Sequence, residues 1–126
     1  MTLKYFNRSE FSCPCGSPDC TGDNMSEEFL ELLDEAREIA SIPFHITSGL
    51  RCQEYNLDLI KRKYKASKTS SHLKGVAADI SCKNSSDRWT IINSLLLTGL
   101  CRIGISDTFI HVDLDKEKQQ EVIWTY

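Results

Sequence analysis

His72 and Asp79 stand seven residues apart in the segment Ser70-Ser-His-Leu-Lys-Gly-Val-Ala-Ala-Asp79. One regular helix or strand does not bring both side chains to a common point. Gly75 lets the chain turn between them, and the small Ala77 and Ala78 let the backbone come close, so a loop ligand can meet a ligand on the following strand. Imidazole nitrogen and carboxylate oxygen are both ordinary zinc donors at about 2.0–2.2 Å. Two protein donors are too few, and the chain holds only two further histidines, His45 and His111. In Thr108-Phe-Ile-His-Val-Asp-Leu114, Ile110, Val112 and Leu114 alternate with Phe109, His111 and Asp113, and a strand puts these two sets on opposite faces. His111 and Asp113 are thus presented together, away from the core face, as a ligand with a nearby proton acceptor. His45, between Phe44 and Ile46, reads as a partly exposed strand histidine. On residue types alone the grouping is a catalytic metal site, a metal site without chemistry, or a chance polar cluster.

The string S-x-H-x-x-G-x-A-x-D from Ser70 to Asp79, with Ser48-Gly-Leu-Arg51 upstream and His111-Val-Asp113 downstream, resembles the zinc D-alanyl-D-alanine carboxypeptidase family. That family is related to the hedgehog-type signalling fold and to the vancomycin-resistance dipeptidases. The chain is most similar to its short, single-domain phage and bacterial branch, and Phe11-x-Cys-x-Cys-Gly16 looks like that branch's opening segment. The resemblance implies that His72, Asp79 and His111 are the metal ligands. It implies that Arg51 binds the substrate's terminal carboxylate or its scissile carbonyl oxygen, and that Ser70 holds the substrate or the ligand loop. A planar, permanently charged guanidinium suits either task. Three protein ligands leave a fourth position for water, which separates a catalytic zinc from a closed structural one.

The function so implied is hydrolysis of D-amino-acid-containing peptide bonds of bacterial peptidoglycan, as a carboxypeptidase or an endopeptidase, with one catalytic Zn2+ and stem peptides as partners. A phage lysis enzyme or virion murein hydrolase fits the small size. The alternative is a catalytically inactive zinc-containing module that binds cell-wall peptide or a protein partner. A hydrolase also needs a general base. Some relatives carry Glu or Asp three residues before the last ligand, where this chain has Thr108, and others a histidine two residues before, where it has Phe109. Asp113 and Asp107 remain, both on the face of His111 in a regular strand. Asp113 is the preferred base, because His-x-Asp marks the short branch.

Six cysteines are many for this length. Cys13, Cys15 and Cys20 crowd one loop, while Cys52, Cys82 and Cys101 are scattered. The three could hold a second, structural zinc, completed by Asp19, Asp23 or His45. The C-x-C spacing is tighter than the usual C-x₂₋₄-C and has no second pair, which favours free or disulfide-linked thiols. Cys52 follows Arg51 and reads as a packing residue that lies near the site.

These side chains need elements to position them. Residues 1–24 are rich in turn formers and read as irregular. Ser26 caps a helix to about Ala40, with Phe29, Leu32, Leu33, Ala36, Ile39 and Ala40 at helical spacing. A strand is expected over Phe44–Ser48, then a helix from Gln53 to about Tyr64 with Tyr55, Leu59 and Ile60 inward. Val76–Cys82 reads as a buried strand. Asp87 can cap a third helix, Arg88 to about Thr98, with Trp89, Ile92, Leu95 and Leu96 as its buried stripe. Strands over Arg102–Ile105 and Thr108–Leu114, and a last strand or extended tail over Glu121–Tyr126, complete the chain. The sum is an α+β fold, a small antiparallel sheet flanked by about three helices, hedgehog/DD-peptidase-like, in a single domain over residues 1–126.

A chain of 126 residues has the size of one ordinary domain. A net charge of −3 argues against a general nucleic-acid binder. The basic run Lys61, Arg62, Lys63, Lys65 and Lys68 reads as a solvated helix end and loop, or as an attraction to anionic wall polymers. No stretch is apolar enough to span a bilayer, and Met1–Glu10 lacks the apolar core of a secretory signal. Synthesis in the cytoplasm, action on the cell wall, no membrane partner and a monomeric state are expected.

Overall fold

The computed structural model describes residues 2–64 and 66–126. Five strands form one sheet: β1 (Ile46–Ser48), β2 (Ala77–Ser81), β3 (Arg102–Ile105), β4 (Phe109–Asp113) and β5 (Val122–Thr125), in the order β1-β2-β4-β3-β5. All neighbours are antiparallel except β3 and β5, so the sheet is mixed at one edge rather than wholly antiparallel. The helices are α1 (Glu27–Ala40), α2 (Gln53–Lys61) and α3 (Ser85–Leu97). The α+β class expected from the sequence is the one that forms.

Period-two alternation divides the central strands into an apolar and a polar face. Ala78 and Ile80, Ile103, and Ile110 and Val112 enter the core, where they meet Phe29, Leu30, Leu33 and Ala36 of α1 and Ile91 and Leu95 of α3. The opposite face carries Asp79, Arg102, His111 and Asp113, all buried although they lie outside the apolar cluster. In register, Asp79 stands directly across from His111, and Arg102 across from Asp113. One face thus stabilises the fold while the other collects the chemistry.

Helix α1 starts where its cap dictates, since Ser26 Oγ accepts a hydrogen bond from Phe29 N. Helix α3 differs from the sequence reading. It begins three residues earlier than Arg88, at Ser85, with Asn84 accepting from Asp87 N. Its buried face is Ile91, Ser94 and Leu95, whereas Trp89 is 68% and Leu96 44% exposed. Apolar residues surround this helix on several sides, so spacing alone permits more than one stripe. On α2, Leu59 is buried but its inward companion is the polar Asn56, while Tyr55 and Ile60 are half-buried. In the basic run, Lys61, Arg62, Lys63 and Lys68 are exposed, and Lys65 lies outside the described residues. Among the described residues no helix is long and apolar enough to cross a membrane.

Candidate metal centre

The loop before β2 folds as a short 3-10 turn, Ser71–Lys74. Ser70 caps it, its Oγ accepting from His72 N at 3.2 Å. Gly75 closes it at φ +70°, the left-handed conformation that glycine takes without strain. Asp115, just beyond β4, fastens the turn from the other side by accepting from Ser71 Oγ at 2.7 Å and Lys74 Nζ at 3.0 Å. Burial alone would raise the Asp115 carboxyl, but these hydrogen bonds outweigh it and hold its pKa down at about 2, below the ordinary 3.8. A depression of that size corresponds to about 2 kcal/mol of stability, present above pH ~4 and lost as the pH falls through ~2. Asp115→Asn should therefore lower stability by about 2 kcal/mol at neutral pH. The gap from wild type should close in denaturant titrations carried toward pH ~2; an equal gap at both ends would contradict the assignment.

With the turn fixed, three donors converge. His72 Nε2 is 3.2 Å and His111 Nδ1 3.0 Å from Asp79 Oδ1. Donors each 2.0–2.1 Å from a tetrahedral ion lie roughly 3.3 Å apart, so the spacing suits zinc. The outer nitrogens fix the tautomers. His72 Nδ1 is 2.7 Å from Gly49 O, and a carbonyl oxygen can only accept, so that nitrogen carries the proton. His111 Nε2 is 2.7 Å from Asp113 Oδ2 and donates to it. With both rings neutral, as metal binding requires, the inner nitrogens turn lone pairs toward the Asp79 carboxylate. All three residues are buried. Such a cluster is repulsive unless positive charge lies within it, and a divalent cation supplies that charge at one point.

The electrostatics agree. Burial pushes the His72 imidazole below its ordinary value, which opposes an extra proton there. Burial acts the same way on His111, but hydrogen bonds to Asp113 and Asp79 outweigh it and raise its pKa. For Asp79 the imidazoles overcome the burial penalty and keep the carboxyl well below the usual range. An ionised Asp79 between two nitrogen donors is the form that binds metal.

Arg51 is buried and braced on three sides. Its Nε donates to Ser48 Oγ at 3.1 Å, Nη1 to Asn56 Oδ1 and Nη2 to Asp79 Oδ2, both at 3.4 Å. Asn56 in turn donates to Ser67 O at 2.8 Å. Three of the five guanidinium N–H groups are thus assigned among the described residues. The centre opens into a cavity of about 400 Å³ bordered by Arg51, Ser70, His72, His111, Trp124 and Tyr126. A second cavity of about 580 Å³, walled by Tyr55, Tyr64 and Phe109, shares Arg51 and Asp79 with it. Space therefore exists on both sides of the arginine.

The structure brings together Arg51, Ser70, His72, Asp79, His111 and Asp113. It leaves Asp107 exposed in the turn between β3 and β4, outside both cavities. Asp113 is present but occupied: Oδ2 accepts from His111, and Oδ1 accepts from Arg102 Nε at 2.8 Å and from Asp115 N at 3.1 Å. That geometry holds the His111 ring in place, as carboxylates behind metal-bound histidines do. His45 is exposed and takes no part.

Arg102, Asn56, Asp115, Trp124 and Tyr126 escaped the sequence reading. The alternation of β3 and β4 could have flagged Arg102 as a charge on the same face as Asp113. Trp124 lies 5.5 Å, ring to ring, from His111. It fits there because residue 104 is glycine; a Cβ at Gly104 would come within 2.7 Å of the indole.

The Peptidase M15 family model matches residues 4–113 of the chain. No curated protein and no solved structure matches it.

Proposed function

The chain belongs to the Peptidase M15 family, whose zinc D-alanyl-D-alanine carboxypeptidase motifs it carries, and we propose that it hydrolyses D-amino-acid-containing peptide bonds of bacterial peptidoglycan with His72, Asp79 and His111 as zinc ligands. The observation that carries this reading is the convergence of two imidazole lone pairs on one carboxylate oxygen at 3.2 and 3.0 Å, beside an open cavity. Zinc held there supplies a Lewis acid that polarises a carbonyl and makes water acidic near neutral pH.

The protein's own groups bind the substrate and hold the ligands in place. The Arg51 guanidinium binds a substrate carboxylate or the carbonyl oxygen as it gains charge. Asp113 and Gly49 O hold the two imidazoles in the tautomers that face the ion. Ser70 and Asp115 keep the His72 turn in place. Tyr126, half-exposed at the rim, has its phenol pushed up by burial and by Asp79, so it stays protonated and can donate to the substrate.

Room on both sides of Arg51 fits a peptide that continues past the scissile bond, so cross-link cleavage is included beside end-trimming. A phage lysis or virion role is compatible with this chemistry and rests on the sequence resemblance alone. The test is mass spectrometry of fragments released from purified peptidoglycan by the zinc-loaded protein. New termini at D-residues are expected. Cleavage confined to all-L peptides would refute the substrate assignment, and intact wall with fully zinc-loaded protein would favour a binding module instead.

A further inference from the structure

Three of the six cysteines meet at one place, with Cys20 beside them, although they come from two distant parts of the chain. The Sγ atoms of Cys13, Cys15 and Cys52 lie within 4.8 Å of one another, and Cys13 Sγ is 3.8 Å from Cys52 Sγ. Cys20 is held next to this group because Cys13 N donates to Cys20 O at 3.0 Å, and its thiol interacts with those of Cys15 and Cys52. Sulfurs bound at about 2.3 Å to a tetrahedral ion sit roughly 3.8 Å apart, whereas a disulfide needs about 2.05 Å. All six cysteines are free thiols, the first of the two states expected from the sequence.

Backbone amides are aimed at three of these sulfurs. Cys52 N donates to Cys13 Sγ, Ser17 N to Cys15 Sγ and Tyr55 N to Cys52 Sγ, each at 3.4 Å. Amide hydrogens aimed at sulfur favour the thiolate, which is the form that ligates metal. The C-x-C spacing is no obstacle here. Cys13 and Cys15 flank Pro14 in a turn closed by Gly16 N donating to Cys13 O at 3.3 Å, and both thiols reach Cys52. The missing second pair is Cys20 and Cys52; Asp19, Asp23 and His45 are all exposed.

We propose that Cys13, Cys15, Cys20 and Cys52 form a second metal site, a closed four-thiolate site for zinc that ties the N-terminal segment to the turn carrying Arg51. The tie is direct. Leu50 N donates to Phe11 O at 2.8 Å and Arg51 N to His72 O at 3.1 Å, so the clamped segment also sets Gly49 O behind His72. Four soft thiolates with no open position bind without doing chemistry, and this site stands whether or not the chain is a hydrolase.

The test is cobalt(II) titration of the reduced full chain, because thiolate ligation gives a charge-transfer band that histidine and carboxylate ligands do not. Wild type and His72→Ala should both show the band, with a single equivalent of metal left in His72→Ala. The band should vanish in the Cys13→Ser/Cys52→Ser double variant. Cys15→Ser, at an exposed position, guards against misfolding: it should remain folded and bind cobalt at least tenfold more weakly at this site. No charge-transfer band in wild type, or a non-reduced mass short by a pair of hydrogens as in a disulfide, would overturn the proposal.

Discussion

His72→Ala is expected to abolish peptide hydrolysis and to empty the His72–Asp79–His111 centre of zinc. The side chain supplies one of only three protein donors, and its Nε2 faces Asp79 Oδ1 at 3.2 Å. Alanine leaves two donors, too few to hold a catalytic zinc at ordinary free-metal levels. It also removes the hydrogen that Gly49 O accepts at 2.7 Å, a buried-carbonyl loss of about 1–3 kcal/mol that should lower the melting temperature without unfolding the chain. Metal analysis should show the variant short of wild type by the ion of this centre, and the same preparation should release no muropeptide. Chelation of wild type should reproduce the loss, and added zinc should reverse it. Asp107→Asn is the matched control, because an exposed turn residue outside both cavities should leave zinc content and turnover unchanged. Cleavage that survives in His72→Ala would remove this centre from the reaction.

Asp113→Asn should act through the metal. A single amide oxygen cannot serve both His111 Nε2 and Arg102 Nε, which the two carboxylate oxygens now accept from at 2.7 and 2.8 Å. Zinc affinity should fall roughly ten- to a hundredfold, the usual cost of losing the carboxylate behind a ligating histidine. Stability should fall by about 3 kcal/mol, since Arg102 is left buried without its counter-charge. Turnover should recover most of its value once zinc is saturating. A general base would behave otherwise, with unchanged affinity and a turnover lowered by on the order of a hundredfold at every zinc concentration. That second pattern would return Asp113 to the role the sequence suggested.

Which partners Asp113 meets depends on more than its own strand. The alternation of Thr108–Leu114 placed His111 and Asp113 on one face, and β4 keeps them there. What Asp113 would touch on that face was not legible. Arg102 arrives from β3 through an antiparallel register that nothing in either segment specifies. Helix α1 was readable almost to the residue, because a serine cap and a one-sided apolar stripe agree. In α3 they did not agree: apolar residues line several faces, and packing against α1 and β4 selected Ile91 and Leu95 over Trp89 and Leu96.

Cys52 gives the sharpest case. Thirty-nine residues separate it from Cys13, and only the crossing of Phe11 over Leu50 brings the two sulfurs together. Asp115 escaped notice in the same way, as a lone carboxylate in a polar stretch until the Ser71–Lys74 turn folds against it.

By itself the sequence determined the α+β fold class and the two faces of β4, and it singled out the three residues that could hold a metal. Those properties follow from residue chemistry and from a backbone period that repeats within a few residues. Only the tertiary structure decided which distant groups meet: Asp113 with Arg102, Asp115 with the His72 turn, Cys52 with the N-terminal thiols. Each of those meetings depends on strand register and loop crossing, which the packing of the whole chain fixes and no local pattern encodes.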